Sequence, residues 1–127
     1  MSRPIKVMFA ALLIVAFLVP ATAAAGAASQ RSCRSSDLRY PFQPGGPRVF
    51  GVFGLAIAHG SCATAHSVAR AWMSRFETAF RAGRDVTPRS VDGFHFKTLP
   101  AHEAQAFRER GVMAAMTISF LYRIPNG

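Results

Sequence analysis

One run of residues limits the fold of this chain more than any other. Cys62, Ala65, Val68, Ala69, Trp72, Met73, Phe76, Ala79 and Phe80 recur at three- and four-residue spacing, with Thr64, His66, Ser67, Arg70, Ser74, Glu77 and Arg81 between them. That period puts the first set on one side of an α-helix and the second on the other. Ser61 stands where an N-cap hydroxyl can accept from an orphan amide, and Gly83 stands where a helix takes its left-handed C-terminal cap. Arg81 lies near the negative end of the helix dipole. A helix with one apolar face needs an apolar surface to lie on, so the rest of the chain must supply one.

Three segments read as strands. Val49 to Ala58 is rich in β-branched and aromatic residues and carries no charge; its two glycines, Gly51 and Gly54, point to a bulge or a close neighbour. From Val91 to Leu99, Phe94 and Phe96 alternate with His95 and Lys97. From Val112 to Tyr122, residues Ala114, Met116, Ile118, Phe120 and Tyr122 fall on one side, Thr117, Ser119 and Arg123 on the other. Between the last two, Pro100 to Arg110 holds good helix formers and ends in Gly111, which predicts a short helix with Ala104 and Phe107 facing in. The fold class expected is α+β: a small antiparallel sheet of about three strands with one long amphipathic helix on one face, in the order β-α-β-(short α)-β. Trp72, Phe76, Phe94, Phe96, Ile118 and Phe120 form the expected core.

Ahead of this domain the chain has a different character. Arg3 and Lys6 precede a charge-free apolar run from Val7 to Val19. As a helix that run spans about 20 Å, short of the roughly 30 Å hydrocarbon core of a bilayer. Pro20 follows, then the small-residue tract Ala21 to Ala28. The pattern predicts a signal peptide over 1–25, cut after Ala25 within a permissive range from Ala23 to Ala28, rather than an uncleaved anchor. A lipid anchor on Cys33 is disfavoured, because Gln30-Arg31-Ser32 before it is bulky and charged. Residues 26–47, rich in Ser, Arg, Pro and Gly, read as a flexible arm, and 48–127 as one α+β domain. The protein is expected to be secreted or held in the cell envelope.

Without Arg3 and Lys6, thirteen basic residues face six acids, a net charge of +7. Such a balance favours anionic partners, and an anionic envelope polymer or a lipid surface fits better than a specific nucleic acid. The charge is twelve arginines and Lys97, dispersed from Arg31 to Arg123 without a cluster, so an ordinary solvated basic face is the leading reading and a dedicated polyanion site the alternative. A monomer is expected.

The run Gly60-Ser61-Cys62-Ala63-Thr64-Ala65, with Val68-Ala69-Arg70-Ala71-Trp72, then Gly93-Phe94 and a closing apolar strand, resembles small exported proteins of high-GC bacteria. These show a Ser-Cys-x-x-Ala helix start and a Gly-Phe-x-Cys strand. The likeness covers about Val49 to Tyr122 and implies fold and location only, since the group has no assigned activity. Phe96 stands where the pattern expects its second cysteine, which removes the helix-to-strand disulfide that the resemblance implies.

Cys33 and Cys62 remain as a disulfide candidate in an oxidising compartment; the alternative is a buried free Cys62 and a free or intermolecular Cys33. A sharper alternative makes Cys62 a nucleophile at a helix N-terminus with His95 as its base, as in papain-like peptidases and cell-wall amidases. Val112 to Arg123 contains no Asn, Asp, His or Gln to orient that base. His59, His66, His95 and His102 lack metal-ligand spacing, the acids are isolated, and no phosphate loop is present, so neither a metal nor a cofactor is expected. The function expected is a small exported basic domain of non-enzymatic, binding or envelope-associated type, with the cysteine hydrolase as the alternative.

Overall fold

The computed structural model describes residues 29–124, so the expected signal peptide and its cleavage site lie outside the described residues. Within them the chain forms β1 (Arg31–Ser32), β2 (Arg39–Pro41), β3 (Arg48–Ala58), α1 (Cys62–Arg81), β4 (Ser90–Val91), β5 (Phe94–Leu99), β6 (Ala106–Met113) and β7 (Met116–Arg123). All seven strands join one antiparallel sheet of order β1-β3-β7-β6-β5-β4, with β2 also pairing β3. The expectation of about three strands is therefore corrected: the protein is mostly sheet, with a single α-helix among the described residues.

The extra strands have separate physical origins. Pro100 to Arg110 is not a helix. Its second half belongs to β6, paired with β5 on one side and β7 on the other, and two ladders of hydrogen bonds outweigh a modest helix propensity. Gly111 is no helix cap but a mid-strand position where the Phe96 ring lies so close that a Cβ would collide with it. Ala104 is exposed in the connecting turn, while Phe107 packs edge-on against Phe76 with ring centres 5.3 Å apart. Val91 to Leu99 divides at Asp92-Gly93, both at positive φ, a two-residue hairpin turn between β4 and β5. The last predicted strand divides at Ala114-Ala115 into the β6–β7 hairpin. The segment read as an arm carries β1 and β2, and Gly51 lacks the Cβ that would otherwise strike the Leu38 carbonyl, so this segment lies close on β3.

The long helix stands where its period put it. Ser61 Oγ accepts from the Thr64 amide at 3.2 Å. At the other end the Gly83 and Arg84 amides donate back to the Phe80 and Ala79 carbonyls, closing the helix as Gly83 at φ +78° permits. Ala65, Val68, Ala69, Trp72 and Phe76 are buried against the sheet. There the Trp72 ring stacks on Phe76 and meets Phe120 and Tyr122 edge-on or tilted, with ring centres 5.2 to 5.4 Å apart. Phe94, Phe96, Ile118, Val52, Leu55 and Ile57 complete this core. Among the described residues the helix covers one face of the sheet and leaves the other open.

Candidate functional site: the open face of the sheet

Cys62, at the helix start, is bonded to Cys33 in the segment beside β1, with Cα atoms 5.3 Å apart. The Cys33 amide also donates to the Leu55 carbonyl at 2.8 Å, so the disulfide ties chain already docked on β3. Sulfur committed to this bond is not a thiolate nucleophile. His95 stands on β5, exposed, on the side of the sheet away from the helix, opposite Ser90 and Val112. The two residues of the suggested dyad thus lie on opposite sides of the sheet. The disulfide is compatible with an extracytoplasmic protein.

The open face is built by alternation. Phe94 and Phe96 of β5 point to the core, so His95, Lys97 and Leu99 point out; Ile118, Phe120 and Tyr122 of β7 point in, so Thr117, Ser119, Leu121 and Arg123 point out. On β6 the same rule sends Phe107, Glu109 and Gly111 inward and Arg108, Arg110 and Val112 outward. Register then aligns the outward residues in rows. Lys97 lies opposite Arg110, and Arg110 opposite Ser119. Leu99, Arg108, Leu121 and Phe53 form the next row, and Ala106, Arg123, Gly51 and Arg39 the one after it. Five cations therefore share one surface with the apolar pair Leu121 and Phe53, and with Leu99 beyond Arg108. No outward position of β5, β6 or β7 holds an Asp or Glu.

These cations fall into two groups. Arg39 and Arg123 are fixed: their guanidinium carbons lie 4.2 and 4.3 Å from the Phe53 ring centre. Arg39 also donates to the Val52 carbonyl, and Arg123 makes two 2.8 Å bonds to Glu103. That pairing holds the Glu103 carboxyl below its usual range. Lys97, Arg108 and Arg110 are exposed and, among the described residues, make no hydrogen bond or ion pair through their charged groups. Two shallow concavities adjoin on this face and share Arg110. One, of about 410 Å³, is lined by Phe53, Leu99, Arg108, Ser119 and Leu121, and the other, of about 550 Å³, by Arg89, His95, Lys97 and Val112.

Glu109 explains why the face is not neutralised from within. It sits between Arg108 and Arg110 in the chain but faces the core, fully buried, with Oε1 accepting from Thr98 Oγ1 at 2.7 Å and Oε2 without a partner among the described residues. Loss of solvent raises its pKa to about 7, against a smaller lowering by the Thr98 hydroxyl. The one acid of β6 is thus turned away from the cations and half-discharged at neutral pH.

This juxtaposition is what sequence reading missed. Lys97, Arg108 and Arg110 look dispersed in one dimension, and Arg108-Glu109-Arg110 looks self-neutralising. The signal was the alternation through Phe107, Glu109 and Gly111, legible once the segment is taken as a strand. The remaining ionisable pairs are elsewhere: His66 Nε2 lies 2.7 Å from Asp37, with Arg70 at 3.1 Å, and the His66 contact chiefly lowers the Asp37 pKa. Among the described residues no three His, Cys, Asp or Glu side chains gather to hold a metal ion.

Fold and site together describe a disulfide-tied antiparallel sheet, with a helix on one side and, on the other, a basic surface where Glu103 pairs with Arg123 and no outward strand position of β5, β6 or β7 is acidic. Compared with known proteins, the chain matches no family model, no curated protein and no solved structure.

Proposed function

We propose that this chain is an exported, non-enzymatic binding module that holds an anionic envelope polymer on the open face of its sheet. The observation that carries the reading is the row structure of that face: Lys97, Arg108 and Arg110 stand exposed and, among the described residues, unpaired beside Leu99, Leu121 and Phe53, with no Asp or Glu at an outward position of β5, β6 or β7. Neighbouring strands and alternate residues place the Cβ atoms of these three cations about 5 to 8 Å apart. A flexible polyanion can meet all three at once, and the apolar side chains accept its backbone carbons. Exposed cations without partners bind such a polymer with little competition from their own protein, and release of its counterions makes the affinity fall with salt. The Cys33–Cys62 disulfide and the N-terminal pattern support a location outside the cytoplasm.

The test is titration with polyglycerol phosphate over a range of salt. Replacing Lys97, Arg108 and Arg110 by Gln should flatten the slope of log affinity against log salt by about 2 to 3. Replacing Arg31, Arg34 and Arg75 by Gln removes the same charge elsewhere and should change it far less. Equal losses in the two variants would mean diffuse attraction to a basic protein and would remove the site.

A further inference from the structure

A second surface lies at one end of the molecule and is not part of the open face. Strand β3 starts at this end and α1 returns to it, so the tip of the β2–β3 hairpin and the last turn of the helix meet there. Tyr40 and Phe50 have ring centres 5.9 Å apart, and Phe42 and Phe50 6.0 Å. Tyr40 in turn lines one concavity of about 360 Å³ with Phe80, Arg81 and Ile124. An apolar strip therefore runs from the hairpin tip to the helix end. Phe42 is 64% exposed and Phe80 46%, and burying large side chains that stand in water is favourable. The hairpin tip itself, Gln43 to Pro47, is uncharged.

The charges around the strip point to what covers it. Arg48 flanks the hairpin, and Arg81 and Arg84 flank the helix end, all exposed. No acid occurs between Asp37 and Glu77. Of the acids at this end, Glu77 accepts from the Tyr122 hydroxyl at 2.8 Å, Glu103 is bound by Arg123, and Asp85 adjoins Arg84. A second copy of the chain would bring Arg48, Arg81 and Arg84 against their own duplicates, which like-charge repulsion opposes. Exposed aromatic residues ringed by arginines match an interface where lipid phosphates lie above acyl chains. Among the described residues no helix is long and apolar enough to cross a membrane, so the contact is with the surface.

We propose that this end of the molecule seats on an anionic bilayer, with Phe42 and Phe80 entering the headgroup layer and Arg48, Arg81 and Arg84 meeting lipid phosphates. The polymer-binding face stays clear of the membrane, so the two surfaces can be occupied together. Sedimentation with phosphatidylcholine vesicles, with and without phosphatidylglycerol, tests this. The wild-type protein should pellet only with the anionic vesicles, and Phe42→Ser with Phe80→Ser should weaken that binding about tenfold or more. Both residues are exposed, and an unchanged circular dichroism spectrum checks that the double variant folds. The variant with Lys97, Arg108 and Arg110 replaced by Gln should retain most of the vesicle binding even where it has lost the polymer. The proposal is overturned if the wild type ignores anionic vesicles or the Phe variant pellets like wild type. It also fails if the open-face variant alone loses binding, or if the strip proves to hold a dimer that the Phe variant dissociates.

Discussion

The two faces of this sheet are made by the same strands and differ in almost every physical respect. On the helix side, aromatic rings close over one another and a carboxyl group is held without water. On the other side, cations stand in solvent beside a few apolar side chains. Alternation does the sorting: along β6, Phe107, Glu109 and Gly111 face one environment while Arg108 and Arg110 face the other. The covered face determines whether the chain folds; the open face is free to be chosen for binding. Substitutions on the first should therefore move stability, and substitutions on the second should move affinity and leave stability nearly alone.

The largest expected effect is on the covered face. Trp72 is fully buried among Phe76, Phe120 and Tyr122, so Trp72→Ala should lower unfolding free energy in urea by about 3 to 5 kcal/mol. A loss below about 1 kcal/mol would mean that the helix does not depend on this contact. Next, opening the Cys33–Cys62 bond, which closes a loop over a sequence separation of 29, should lower stability by about 3 to 4 kcal/mol, read by replacing both cysteines with Ser. The same bond predicts that Cys62 in the folded, unreduced protein does not react with iodoacetamide at neutral pH.

Glu109 gives the comparison a pH dependence. Its carboxyl titrates near 4.5 in the unfolded chain and at about 7 when folded. Between those values the folded protein keeps a proton that the unfolded chain has released. Stability is therefore full below about pH 4.5, falls as pH rises towards 7, and levels off above it, a loss of about 3 kcal/mol from this group. Glu109→Gln, which can still accept from Thr98, should flatten that profile and raise stability at neutral pH. A profile that slopes equally in the variant would place the dependence elsewhere. The smallest expected effect on stability belongs to the open face, where replacing Lys97, Arg108 or Arg110 by Gln should change unfolding by no more than about 0.5 kcal/mol each.

The covered face was far more legible in the sequence than the open one. A helix writes its buried side at a regular period, so Trp72, Phe76 and both caps could be placed from Ser61 to Gly83 alone. Phe94, Phe96, Ile118 and Phe120 followed from two-residue alternation. Strands without a long apolar pattern were not visible: β1 and β2 carry no alternation to read, and they exist because β3 offers them unpaired backbone. Residues 106–110 were misread as helix because the Ala, Glu, Gln and Arg of Pro100 to Arg110 favour helix locally while partners distant in the chain decide otherwise. That single error hid the open face, since its cations adjoin only when β6 is set between β5 and β7.

Backbone amide mapping by nuclear magnetic resonance during titration with polyglycerol phosphate tests the central claim most directly. The account predicts shift changes gathered on Lys97, Leu99, Arg108, Arg110, Ser119 and Leu121, with α1 and the Arg31 to Arg34 segment nearly unmoved. Changes of similar size spread over Arg31, Arg34, Arg70 and Arg75 would contradict it, and would reduce the open face to an ordinary solvated surface.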